Sequence, residues 1–428
     1  MTSLTSVSIR PSLRLTRARR GLVGNDFLLL WTGQTVSRIG NGAYKVAVAW
    51  AVYQISKSTA AMGLVLALNV VPELALAMLG GTIADRISRR TVIIVADSIA
   101  AVVTLGLAVA AAFGALSISM LMVGAFLLGV VSAFYGPAYA ALKGRLPGVS
   151  GRGSANAWFT VSGNLARLAG PALAGMAFAA GGAGTVFGLD AATFAFAVVT
   201  TYLIKVPPLP EKATTAPAEA ESQAPSARRE MVEGFAYTVK ARWLLITLAI
   251  SVVANVACLA PYAVLLPDLV TVHGSGIGLL GLLCAAEIGV GTVGAIVIGR
   301  MSSRLRPGTA MLALCGLLGA GTLLLGLPGG HTPLLFAGVG LIGLGLSFDV
   351  IEQTLLQSLV PDRLLSRVYA VNTVVSYSLL PVGYTIAGLL ARHTGAAPVL
   401  AVGGVALIAV CGMAAPHPEV RRLNAVKC

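Results

Sequence analysis

Gly81-Thr82-Ile83-Ala84-Asp85-Arg86-Ile87-Ser88-Arg89-Arg90 is a short charged interruption between two long apolar runs, residues 60–82 and 91–113. Each flanking run reaches the roughly 20 residues that a helix needs to cross the hydrocarbon core of a bilayer. Working outward from this stretch, the same alternation recurs. Further apolar runs lie at 28–52, 117–139, 154–179 and 184–205, then at 243–267, 276–299, 308–327, 333–357, 368–390 and 396–415. The chain is 57% hydrophobic and only 11% charged, against about 25% charged residues in soluble domains. That leaves too little polar surface to wrap a water-soluble fold of this length. In lipid the backbone must satisfy its own hydrogen bonds, so apolar runs of this length are helices. The expected fold class is an all-α membrane protein of twelve transmembrane helices.

Net charge is +14, which in a soluble chain would suggest nucleic-acid binding. Here the basic residues fall in the short segments between spans. With twelve spans, 25 of the 30 lysines and arginines lie on the side that holds both termini, whereas only Lys57 and Arg392 lie on the other. Positive charge marks the cytoplasmic side, so the expectation is a multi-pass protein of the cell membrane with both termini cytoplasmic and no nucleic-acid partner. Residues 1–26 are Arg-rich but lack the short apolar core and cleavage site of a signal peptide, and read as a cytoplasmic tail.

Chemistry-bearing motifs are sparse. The five cysteines (Cys258, Cys284, Cys315, Cys411 and Cys428) include no CxxC pair, and His273, His331, His393 and His417 have no metal-ligand spacing. Gly289 to Gly294 and Gly338 to Gly343 match GxGxxG, yet both lie inside apolar runs, where helix packing explains them better than nucleotide binding. No Walker lysine, HExxH or GxSxG motif occurs. No metal, cofactor, direct ATP drive or enzymatic activity is expected.

The long polar stretch near the middle divides the spans six and six. The expected organisation is a tail at 1–26, a six-helix bundle at 27–206, a cytoplasmic linker at 207–241, a second bundle at 242–415 and a tail at 416–428. Residues 230–240 within the linker read as a short amphipathic surface helix. Gly299-Arg300-Met301-Ser302-Ser303-Arg304 echoes Gly81 to Arg86 at a displacement of 218 positions, so the halves are pseudo-symmetric. Parallel repeats around a central site are a transporter architecture.

Ionisable groups inside spans are expensive, and those retained usually face an internal cavity. Gln34, Arg38, Asn41 and Lys45 share one face of the first span at helical spacing; Asn69 and Glu73 share a face of the second. Arg167 falls mid-span on the fifth, Glu287 on the eighth, and Asp349 and Glu352 on the tenth, where Gln353 and Gln357 extend the polar face. Arg38 and Glu73 lie at similar depth, which leaves a static ion pair and a cavity role both open. Asp97 and Asp190, nearer the span ends, read as structural partners. Glu287 and Asp349 are the favoured proton carriers, because desolvation favours the neutral form of a carboxyl group. Phe134, Tyr135, Tyr139, Tyr262, Tyr377 and Tyr384 are candidate stacking surfaces, and Pro72, Pro137, Pro171, Pro261 and Pro381 are candidate bends.

With these residues in view, the chain resembles the major facilitator superfamily. Gly81 to Arg90 resembles its loop signature Gly-x-x-x-Asp-Arg-x-Gly-Arg-Arg/Lys, with Ser88 replacing a glycine; the second-half copy has Ser303 in the Asp place. Gly170-Pro171-Ala172-Leu173-Ala174-Gly175 is similar to the Gly-Pro-x-x-Gly-Gly signature of the superfamily's exporters, with Ala174 in place of one glycine. The opening at Phe27 to Gln34 is similar to the branch of macrolide efflux pumps and the enterobactin exporter. The resemblance implies two six-helix bundles enclosing a cavity, a cytoplasmic gate at Gly81, Asp85, Arg86, Arg89 and Arg90, and a junction at Gly170, Pro171 and Gly175. The gate's arginines are expected to bridge across the interface in one state only, biasing the equilibrium between states. The resemblance also implies proton-coupled efflux of a small amphipathic compound (antibiotic, macrolide-like or siderophore) by a monomer. Two other readings stay open: proton-coupled import of a small metabolite, and a non-transporting signalling or enzyme subunit.

Overall fold

The computed structural model describes residues 25–143, 152–205, 227–272, 276–301, 304–327 and 331–424; at 77, 78, 80–86, 152–157, 160, 227–232, 272, 362, 363 and 366 only the backbone is described. Residues 207–226 of the expected linker lie outside this set.

The first half is α1 (Asn25–Ser56), α2 (Thr59–Arg86), α3 (Arg89–Ala112), α4 (Ile118–Lys143) and a folded-back pair, α5 (152–180) and α6 (183–203). The pair turns at Gly181 and Gly182, where Gly182 takes φ 70°. An L-residue with a side chain resists that left-handed conformation, so glycine makes the two-residue reversal cheap. Ten stretches of the described residues are long and apolar enough to cross a membrane, and one of them, Val161–Leu203, contains this turn. Counting its two limbs and α1, whose polar face lowers its hydropathy, the spans number twelve.

In the second half α7 (Ala227–Lys240) precedes α8 (Arg242–Val253), a π-helical turn (Ala254–Leu259) and α9 (Ala260–Val272). Pro261 lies two residues past the end of that turn. It has no N–H to continue the ladder, and the widened turn absorbs the defect. Next come α10 (Ile277–Met301), α11 (Pro307–Leu325), α12 (Thr332–Gly345), α13 (Phe348–Leu359), α14 (Asp362–Ser378), α15 (Leu380–Thr394), α16 (Ala396–Ala414) and the short α17 (Pro418–Leu423). The tenth span, expected as one helix, breaks at Leu346 and Ser347, and the eleventh breaks at Leu379 just before Pro381. The seventh, tenth and eleventh spans are therefore jointed, unlike their first-half counterparts.

The halves meet unevenly along their length. α2 packs on α15, α5 on α10, and α9 on α1 and α2. Close backbone approach needs glycine. A Cβ added at Gly63 would sit 2.2 Å from the Tyr384 carbonyl oxygen, one at Gly388 2.4 Å from that of Thr59, and one at Gly281 2.5 Å from that of Pro171. Thr59 Oγ1 donates to the Gly388 carbonyl at 2.8 Å, and Tyr53 Oη donates to Asp268 Oδ1 at 2.6 Å. All these contacts lie away from the chain termini, at the far end of the molecule. Toward the termini α8, α13 and α14 make no extended contact with the first half among the described residues. The apolar cores follow suit. One runs through both halves, joining Tyr44, Trp50 and Phe187 to Leu265 and Leu283. Phe27, Leu142 and Phe159 form a cluster confined to the first half, and Met311, Phe348 and Leu407 one confined to the second. The halves thus close at the far end and diverge toward the termini.

Helix α7 lies against α14: Glu233 and Arg367 form an ion pair, and Tyr237 Oη donates to the Leu359 carbonyl at 3.3 Å.

Candidate functional site

Three polar cavities among the described residues follow from this arrangement. The largest, about 600 Å³, lies between the halves. Arg38, Asn41 and Lys45 of α1 and Arg167 of α5 line it from the first half, and Cys284, Glu287 and Ile288 of α10 from the second. α1 puts its polar residues there because their spacing keeps them on one side of the helix, while Ala43, Ala47 and Ala51 are buried on others. Arg38 lies over the Tyr139 ring, with its guanidinium carbon 4.8 Å from the ring centre. Tyr139 in turn stacks on Tyr135 at 5.4 Å. Lys143, one turn beyond Tyr139 on α4, projects into the same cavity with its ammonium 5.0 Å from the Phe159 ring centre.

A second cavity of about 190 Å³ sits inside the first half, lined by Gln34, Arg38, Lys45, Glu73, Asp97 and Asp190 among others. Gln34 Nε2 donates to Asp97 Oδ2 at 3.0 Å, and the Tyr135 hydroxyl donates to Gln34 Oε1. Asp190 is 1% exposed, and its Oδ2 has no partner among the described residues. Glu73 acts electrostatically on Lys45, and among the described residues no ion pair joins it to Arg38. The static Arg38–Glu73 pair left open above is therefore absent: Arg38 leans on an aromatic ring and Glu73 faces a lysine. Asp97 and Asp190, read from the sequence as structural partners, both face this cavity, and Asp97 is held there by Gln34. Position within a span gives their depth but not their neighbours, and both line this cavity. The usable signal is the depth match between Asp97 and Gln34, each about eight to ten residues from the terminal-end start of its helix.

The third cavity, about 160 Å³, belongs to the second half. Asp349, Glu352 and Gln353 of α13 face Asn372, Ser376 and Tyr377 of α14 and Asn255 of the π-helical turn. Glu352 Oε1, Asn372 Oδ1 and Ser376 Oγ are buried without partners among the described residues. Asn372, Ser376 and Asn255 escape the sequence reading, since uncharged polar residues in apolar runs carry little signal. Gln357 points away and donates to the Tyr369 hydroxyl at 3.3 Å.

The side chains of Gly81–Arg86, including Asp85 and Arg86, lie outside the described set, so only the backbone of this part of the expected gate is seen, as the end of α2. Arg90 Nε donates to the Thr201 carbonyl at 3.1 Å, and a terminal guanidinium nitrogen donates to the Tyr202 carbonyl. Arg90 thereby ties α3 to the end of α6 within one half rather than bridging the halves, which have diverged at this end. At the expected exporter-type junction, Gly170 meets Gly42 so closely that a Cβ would lie 2.8 Å from the Gly42 Cα; Pro171 abuts Gly281 and Gly175 abuts Gly278.

Comparison with known proteins bears on what this architecture is. The profile described as Major Facilitator Superfamily matches residues 30–384. The chain belongs to that superfamily. It is accordingly a transporter and not an enzyme, and its twelve helices take the superfamily's two-bundle arrangement. Among curated relatives, the multidrug efflux pump Tap of Mycobacterium bovis is 26% identical over 408 residues, covering 90% of this chain and 93% of the pump. Macrolide efflux protein A of Streptococcus pyogenes is 22% identical, covering 93% and 97%. Among solved structures, the nucleoside transporter NupG superposes with a TM-score of 0.70 at 12% identity, covering 94% of this chain and 100% of that one. A bacterial homolog of the human lysosomal transporter Spinster, inward-facing and unoccupied, superposes with a TM-score of 0.67 at 14% identity, covering 97% and 98%.

Proposed function

We propose that this chain exports a small amphipathic compound from the cytoplasm by alternating access, driven by proton antiport. The observation that carries the reading is the cavity of about 600 Å³ between the halves, closed at the far end and lined by charged residues of both. Its size lies within the roughly 300–1,000 Å³ range of drug-sized ligand sites. Two relatives named as efflux pumps support the outward direction. With the termini cytoplasmic, as the distribution of basic residues favours, this is the inward-open state. The bundles then correspond to residues 27–206 and 242–415, joined by the linker at 207–241, and the protein acts as a monomer in the cell membrane.

Within this reading Gln34, Arg38, Asn41, Glu73, Arg167, Glu287, Asp349 and Glu352 serve substrate binding or proton coupling. Glu287 and Asp349 are the proposed proton carriers. Glu287 lies within electrostatic reach of both Arg167 and Tyr262, so protonation of this carboxyl group changes the charge that Arg167 faces. The motif at Gly81, Asp85, Arg86, Arg89 and Arg90 closes the cytoplasmic end in the opposite state. The test is flux of a labelled amphiphile from proteoliposomes under an imposed pH gradient. Glu287→Gln or Asp349→Asn is expected to abolish pH-driven flux while leaving counterflow exchange. Undiminished pH-driven flux in both variants removes them as carriers, and pH-independent transport by the wild type removes proton coupling.

A further inference from the structure

The charge on the wall of the central cavity is one-sided. Among the described residues Arg38, Lys45, Lys143 and Arg167 line it, against a single carboxylate, Glu287. None of the four cations has a carboxylate oxygen within 4 Å among the described residues. Arg38 and Lys143 rest against aromatic rings instead, at 4.8 and 5.0 Å from the ring centres. Cations at membrane depth normally pair with a counter-charge or with a ligand. Glu73 acts on Lys45, and Glu287 and Asp349 both act on Arg167, each from beyond 4 Å, so Arg38 and Lys143 are the two left without a direct counter-charge. The wall also has apolar members, Val46, Phe159 and Ile288.

We propose that the compound received by this cavity is an acidic amphiphile, with a carboxylate, sulfonate or phosphate group held between Arg38 and Arg167 and an apolar body against Val46, Phe159 and Ile288. The inference rests on the transporter reading and narrows its substrate class. A guanidinium offers a planar pair of donors that matches the two oxygens of an acidic group. Tyr139 covers Arg38 by one face and Tyr135 reaches one of its donors, while the guanidinium still lines the cavity where a ligand would sit. A protonated amine in the same place would meet like charge on most sides, so cationic compounds are disfavoured.

The experiment uses two dyes that share one ring system, 8-anilinonaphthalene-1-sulfonate, which is anionic, and N-phenyl-1-naphthylamine, which is neutral. Saturable binding is measured to the full chain in nanodiscs of zwitterionic lipid, with protein-free discs subtracted. The sulfonate is expected to bind about tenfold or more tightly than the neutral dye, the range of a charge-assisted contact, and to weaken as salt is raised. Arg38→Gln and Arg167→Gln are each expected to weaken the sulfonate by about tenfold and leave the neutral dye unchanged, whereas Arg38→Lys retains most of the affinity. Unaltered thermal melting of the variants in the discs separates lost contacts from lost folding. Equal binding of the two dyes by the wild type, or arginine variants that lower both alike, overturns the inference. Because binding needs no flux, a chain that selects the sulfonate but moves nothing across vesicles overturns the transport reading alone.

Discussion

Single side chains in this protein are held by partners that an apolar environment makes costly to lose. Gln34 is the clearest: its amide donates to Asp97 and its carbonyl accepts from Tyr135, and it is 1% exposed. Gln34→Leu would leave the Asp97 carboxylate and the Tyr135 hydroxyl buried without those contacts. A loss of about 1–3 kcal/mol per stranded group is expected, read as a lowered melting temperature in nanodiscs. A second change, Asp97→Leu, should recover part of that loss by removing the stranded charge. If Gln34→Leu melts with the wild type, the pair is not a stabilising contact. This scale is also the least legible from sequence. The face shared by Gln34, Arg38, Asn41 and Lys45 is evident from helical spacing. That Arg38 meets Tyr139 rather than Glu73, or that Asp190 opens onto the same cavity as Asp97, depends on how α1, α2, α3, α4 and α6 are rotated against one another. Spacing within one helix carries no information about that rotation.

Elements are easier to foresee. The start and end of most spans can be read within a few residues, because hydrocarbon thickness fixes helix length and Gly182, Gly114 and Gly395 adopt the positive φ values that end or reverse a helix. The breaks at Leu346–Ser347 and Ala254–Leu259 are not foreseeable in this way. Gly343 and Gly345 precede the first, but glycines such as Gly338 and Gly340 recur in the same helix without breaking it, and at the second Pro261 indicates a bend without its form. At this scale the far-end junction invites a test. Gly63 faces the backbone of Tyr384, and Gly388 faces that of Thr59. Valine at either position would force α2 and α15 apart. Spin labels at Ser58 and Thr394 should then report a longer mean distance than in the parent protein. An unchanged distance distribution would mean that this junction does not set the far-end closure. Gly403 is a different case: its added Cβ would lie 1.8 Å from the Ala257 carbonyl oxygen inside one half. Gly403→Leu is expected to lower the yield of folded protein rather than change its state.

Across the whole molecule, the equilibrium between closed and open far ends depends on a few polar contacts in addition to packing. The hydrogen bond from Tyr53 to Asp268 at 2.6 Å joins α1 to α9 across the halves. A hydrogen bond to a charged group contributes about 1.5–3 kcal/mol, so Tyr53→Phe should shift the population toward the far-end-open state by roughly tenfold or more. The same label pair measures it, and an unshifted population would assign the closure to packing alone. The proposed orientation has its own check at this scale. Green fluorescent protein fused after Cys428 should fluoresce, and alkaline phosphatase fused after Lys57 should be active; the reverse pattern would invert the topology. The six-plus-six plan is readable because charge and hydropathy act over whole segments. The closed far end is not, since both states of such a protein share one sequence.

The turn at Gly181 and Gly182 joins two full spans with two residues, and α15 passes to α16 through Gly395 alone. Among the described residues that face of the molecule is therefore nearly bald. An antibody, a phage tail or a protease arriving from that side finds little polypeptide to grip. Raising a conformational binder against it will require engraftment of an epitope, and Lys57-Ser58, with its one non-glycine positive φ, is a natural point of insertion.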